Sequence, residues 1–292
     1  MPPPLKQPSK FMSKKMIIPI GEWALAFFSY LGGSSVLFWK AWLGVLALPW
    51  GQWAVSFLLP WKWKLHRKDR RWDAVVDQMN RIGVSSFPLV FLTALFTGMV
   101  LALQTAYQLQ KISAELYIGS LVALSVTREL GPVLTALVIA GRVGAAITAE
   151  LGTMQVTEQI DALETLSTDP VRYLVVPRFL ALLIMLPILT LYADFIGILG
   201  GYTVGVYKLG IGSSLYMNMT WDPLRFKDVF TGLFKAAIFA MIVCIVSCYE
   251  GFETSGGAEG VGRSTTLSVV IAFILIISAD CFFTALFYFV FP

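Results

Sequence analysis

The sequence predicts an all-α integral membrane protein, with interfacial amphipathic helices at its N-terminus followed by five transmembrane helices. Three observations predict it. Hydrophobic residues make up 57% of the 292 positions and charged residues only 14%, whereas a soluble domain carries about 45–50% and roughly 25%. The charges are clustered, so that five long apolar runs are left between them. Tryptophan and basic residues gather ahead of the first run, as they do where a chain meets a lipid surface.

Residues 1–81 form the N-terminal, Trp-rich, basic region. They hold twelve of the 22 Lys and Arg, and eight of the nine Trp fall between Trp23 and Trp72. The stretch 22–48 is apolar but broken by Gly32-Gly33 and interrupted by Lys40, and Pro49 follows it. Trp favours the headgroup level and Lys extends from there to water, so helices lying along the membrane are expected. One spanning segment within 22–48 is the competing reading. The basic run "WKWKLHRKDRR" reads either as a cluster attracted to anionic lipid or as a solvated loop. A signal peptide is not expected, because no small-x-small cleavage site follows the lysines.

Residues 82–292 supply the spans, at about 85–107, 119–149, 175–206, 229–249 and 265–291. The first contains no charge, and at ~1.5 Å per residue it covers ~34 Å, enough for a ~30 Å hydrocarbon core. The second carries Arg128, Glu129 and Arg142, the third Arg178 and Asp194, the fourth Lys235 and the fifth Asp280. Since basic segments stay in the cytoplasm, the N-terminus is expected inside and, after five crossings, the C-terminus outside. The segments 108–118 and 207–228 are then external loops. Gly197, Gly201 and Gly205 form a small-residue column that lets another helix approach closely, from the same chain or from a second one.

Between the second and third spans lies an acidic insert. From Glu150 to Asp169 there are five carboxylates and no Lys or Arg. On a helix over 153–166, Val156, Ile160 and Leu163 make one stripe, and Glu158, Asp161 and Glu164 another. A helix resting on anionic lipid would show Lys and Arg on its polar face. An acidic face points to a protein partner instead.

Charges inside hydrocarbon are costly, and they face a bundle interior or a wet cavity. Arg128 and Glu129 are adjacent, so they point about 100° apart and do not form a self-contained bridge. Gly131-Pro132 after them invites a kink. Two readings stay open for Arg128, Glu129 and Asp280: a polar patch on a substrate path, or ion pairs locking helices together.

Catalysis is poorly supplied. His66 is the one histidine, no phosphate-binding G-x-x-x-x-G-K-[ST] loop occurs, and Cys244, Cys248 and Cys281 fall in apolar runs without a metal-ligating set. A net charge of +4 makes no case for nucleic acid. No cofactor and no metal are expected on this chain.

The string "ELGPVLTALVIAGRVGAAITAELGTMQVTEQIDALETL" (129–166) resembles the signature of the MlaE/YrbE permeases. Further support comes from "FTGMVLALQ" (96–104), "DPVRYLVVPRFLA" (169–181), "GRSTTLSVV" (262–270) and "DCFFTALF" (280–287), in that order along 75–292. Those proteins are membrane subunits of ABC transporters that work with MCE-domain proteins on lipids. The resemblance implies a homodimeric permease in the bacterial inner membrane that moves phospholipid between that membrane and a periplasmic MCE conduit, toward or from the outer membrane. ATP and Mg would be bound by a separate cytoplasmic ATPase, and this chain would not be an enzyme. It further implies that Val156, Glu158, Ile160, Asp161, Leu163 and Glu164 belong to a coupling helix docked on that ATPase. Leu101, Gln104, Arg128, Glu129 and Asp280 would line a lipid cavity at the dimer interface. The alternatives from other classes are an ion-coupled secondary transporter and a membrane scaffold with no transport role.

Overall fold

The computed structural model describes residues 29–30, 32–45 and 70–290. The remainder of 1–81, including most of the basic run and the edges of 22–48, lies outside the described residues. Among those described there is no strand. Five helical stretches are long and apolar enough to cross a membrane: Trp72–Gln110, Glu115–Val156, Val171–Lys208, Phe226–Phe252 and Gly257–Phe289.

Helix α1 covers 32–45 and buries Leu37, Ala41 and Val45 while Trp39 and Leu43 face outward. A Cβ on Gly44 would meet Val176, and one on Gly33 would meet Tyr249. So α1 lies across the start of the third span and the end of the fourth. Helix α2 (Arg70–Ile82) buries Val75 and Ile82 and leaves Asp73, Asp77 and Arg81 exposed. It ends at an elbow, where the Ser86 hydroxyl donates to Ile82 O at 2.5 Å. The first span, α3 (Phe87–Gln110), then begins with Pro88 in its first turn, where a missing N–H leaves no helical bond unmade.

The second span is three α-helical pieces, α4 (Ile118–Ser125), α5 (Gly131–Ile139) and α6 (Ala145–Val156). Single π-turns join them, Val126–Leu130 and Ala140–Gly144. One π-turn carries Arg128 and Glu129 and the other Arg142, so the charges of this span sit where the helix is locally widened. The kink expected from Gly131-Pro132 is thus a π-turn ending at the residue before Gly131.

Short helix α7 (Gln159–Thr165) precedes the third span, α8 (Val176–Thr203), which is flanked by π-turns Val171–Val175 and Val204–Lys208. The segment 207–228, read from sequence as a loop, holds a further helix, α9 (Ser213–Trp221). It lies on α4, with Ser120 donating to Met219 O at 2.6 Å and Tyr216 only 2% exposed. The fourth and fifth spans are α10 (Phe226–Phe252) and α11 (Gly257–Val290).

The third span is the hub. Its most apolar stretch is 67% buried, against 28% for the first span and 11% for the last. Glycines explain how α3 and α4 reach it. A Cβ on Gly98 would collide with the Gly197 backbone, one on Gly200 with Leu95 O, and one on Gly201 with Val122. The column therefore serves packing within the chain. Gly98→Ala is expected to destabilise the purified protein by about 1–3 kcal/mol, the usual scale for overpacking. Thermal unfolding in detergent checks it, with Gly212→Ala as a control, since nothing lies near that position.

Candidate functional site

A cluster of charges joins the second, fourth and fifth spans. The π-turn at 126–130 puts Arg128 and Glu129 against α10 from two directions. Arg128 Nε donates to Asp228 Oδ1 at 2.8 Å, and a second guanidinium nitrogen lies 2.7 Å from the same oxygen. Asp228 also accepts from the backbone N–H of Arg225 at 2.9 Å, which fixes it at the start of α10.

Two helical turns on, Lys235 is 1% exposed, and its ammonium sits among four acceptors. They are Glu129 Oε2 at 2.6 Å, Thr284 Oγ1 at 2.7 Å, Asp280 Oδ1 at 3.0 Å and Arg128 O at 3.3 Å. Thr284 in turn donates to Glu129 Oε2 at 3.0 Å. An ammonium has three donors, so Lys235 is saturated. The two cations face three carboxylates, Glu129, Asp228 and Asp280. The buried core of the cluster is Lys235 and Asp228, whereas the side chains of Arg128 and Glu129 are 53% and 38% exposed. Among the described residues one guanidinium arm of Arg128 has no partner and is open to the surroundings, a donor set that suits a phosphate or carboxylate.

Of the residues singled out in the sequence, Arg128, Glu129 and Asp280 therefore come together. Leu101 and Gln104 do not join them. They line a separate open recess of about 560 Å³ at the far end of α3, with Leu103, Thr105, Tyr107 and Gln108. Lys235, Asp228 and Thr284 were not picked out as site residues. A signal for the first two existed: a lone cation in the fourth span needs a carboxylate nearby, and Asp228 precedes Lys235 by seven residues on the same face.

The acidic insert is not one helix over 153–166. The second span runs on as α6 to Val156, and Glu158 adopts a left-handed conformation (φ 59°) that breaks the chain before α7. Val156 therefore belongs to α6, and Ile160 and Leu163 to α7. Ile160 is buried and Leu163 half-buried, while Glu158, Asp161 and Glu164 are all exposed. The separation of an apolar face from an acidic one survives the break. Beside it, the buried Arg178 pairs with Glu150 at 2.9 Å and donates to Leu174 O at 2.8 Å, tying the second span to the third. Asp194 is buried against Gly131, and its Oδ1 has no hydrogen-bond partner.

The profile of the family described as Permease MlaE matches residues 75–286. A probable ABC transporter permease protein of Rickettsia felis is 51% identical over 214 residues, which cover 73% of this chain and 83% of that protein. A probable ABC transporter permease protein of Synechocystis sp. is 42% identical over 207 residues, 71% of this chain and 79% of that one. The intermembrane phospholipid transport system permease protein MlaE of Haemophilus influenzae is 40% identical over 213 residues, 73% of this chain and 82% of that one. With five apolar helices in the structure and a match across nearly all of them, the chain belongs to the MlaE permease family, the membrane-embedded permeases.

Proposed function

We propose that the chain is the membrane subunit of an ATP-driven phospholipid transporter, working as a homodimer with a cytoplasmic ATPase and a periplasmic MCE-domain protein. The observation that carries this reading is the half-open charged cluster around Lys235. It offers an unused arginine arm on a helix bundle whose first and last spans each leave much of their apolar surface uncovered. A second copy set against those spans would close an apolar chamber around acyl chains, with Arg128 meeting the phosphate. The N-terminus and α7 lie in the cytoplasm, α1 lies at the inner membrane surface, and the C-terminus is periplasmic. Likeness to the Haemophilus influenzae permease supports phospholipid as the cargo.

ATP-driven closure of the partner ATPases moves α7, and the Arg178–Glu150 tie carries that movement into the second and third spans. The chamber then changes width and a lipid passes. Arg128→Ala and Glu129→Ala are expected to lower ATP-dependent phospholipid transfer by roughly tenfold, equivalent to about 1.4 kcal/mol each. Dimer assembly should survive both, because Lys235 keeps Asp280 and Asp228 keeps the Arg225 N–H. Transfer between reconstituted vesicles and size-exclusion profiles check the two halves. Transfer that continues without the ATPase, driven by a membrane potential, would favour an ion-coupled carrier. Full transfer by both variants would leave the cluster a purely structural lock.

A further inference from the structure

The second π-turn of the second span carries a charge that the Lys235 cluster does not use. Arg142 is exposed although Ala140, Val143 and Gly144 beside it are buried. Its Nη1 donates to Ser86 Oγ at 2.5 Å, and no carboxylate among the described residues pairs with it. Ser86 is fully buried, and its own proton is committed to Ile82 O. Among the described residues most of its five guanidinium donors thus have no partner, which leaves them open to water or to an anion at the membrane surface.

Its place is specific. Ser86 lies at the elbow where α2 turns into the first span, which the charge-free run places at about residue 85. Position 141, next to it, faces the Phe273 ring of the last span, 3.9 Å from where a Cβ would stand. Arg142 therefore sits between the foot of the first span and the last span. Along the second span it is fourteen residues from Arg128, or ~21 Å at ~1.5 Å per residue.

We propose that Arg142, held by Ser86, binds the phosphodiester of a phospholipid at headgroup depth, as a loading position below the Arg128 cluster. This rests on the transport reading above. The planar fork suits a phosphate with two free oxygens, and the buried serine fixes its direction.

The test uses the assembled transporter in phosphatidylcholine vesicles with a trace of phosphatidylethanolamine photoactivatable in its headgroup, and maps labelled peptides by mass spectrometry. Labelling is expected near both 128 and 142. Arg142→Gln should lose the label near 142 by roughly tenfold, the scale of one charged hydrogen bond, and keep that near 128. Arg142→Lys, which retains the charge if the glutamine variant folds poorly, should keep part of it, since an ammonium attracts the phosphate without the fork. Label near 128 alone in the unaltered protein overturns this inference and spares the transport reading, whereas label at neither position sinks both. Undiminished label in Arg142→Gln, label in Arg142→Lys no stronger than in Arg142→Gln where both variants fold, or displacement by excess inorganic phosphate would each overturn the lipid assignment.

Discussion

Lys235→Met is expected to have the largest effect of any single substitution in the chain. The methionine fits the space but removes the cation to which Glu129, Asp280 and Thr284 all turn. Two carboxylates would then face each other across a buried site with nothing between them. Removing one partner of a buried pair destabilises by about 3–5 kcal/mol, because the other charge is left uncompensated. A loss of that size in the transporting state corresponds to a fall of roughly a hundredfold to a few thousandfold in lipid transfer. Thermal unfolding in detergent and transfer between vesicles measure the two quantities separately. Adding Glu129→Gln and Asp280→Asn to Lys235→Met removes the stranded charges, so stability should recover while transfer stays low. Recovery of both would mean that the cluster only holds helices together.

The second large effect is expected from Glu158→Lys with Asp161→Lys. Both side chains are exposed, so the bundle should fold unchanged. Lysine at 158 meets the same left-handed backbone that glutamate already tolerates. Reversing two charges on a docking face places like charges together, which costs several kcal/mol. At about 1.4 kcal/mol per factor of ten, association with the ATPase should weaken by roughly a hundredfold or more. Copurification in mild detergent reads this directly, and lipid transfer should fall with it. Undiminished copurification would place the ATPase contact elsewhere.

Much of the fold was legible because lipid imposes a simple rule: a crossing needs a long run without charge. The five spans follow from that rule and from little else. What the sequence concealed is local. A π-turn adds one residue to a helix, and composition does not give its form: Gly131-Pro132 marked a kink beside 126–130 but not a widened turn, and Gly141 and Gly144 in 140–144 read equally well as ordinary helix packing. The break at Thr157-Glu158 is similarly unmarked, and a continuous amphipathic stripe through 156, 160 and 163 fitted the residues as well as two helices do. For the site, the cost of a buried charge pointed to Arg128, Glu129 and Asp280. The partners that neutralise them stand some 45 to 106 residues away in sequence, on a helix whose rotation no periodicity in a largely apolar segment reveals. Leu101 and Gln104 show the converse. Resemblance grouped them with the charges at a dimer interface, and within the single chain they line an open recess toward the C-terminal end of the first span.

The account turns on α7 being the place where ATP-driven motion enters the membrane body. A photo-crosslinking amino acid at position 161, in the transporter assembled with its partners, tests this most directly. The predicted result is a cross-link to the ATPase subunit whose yield changes between nucleotide-free and ATP-trapped states. A cross-link to the periplasmic partner, or none to the ATPase in any state, would contradict it.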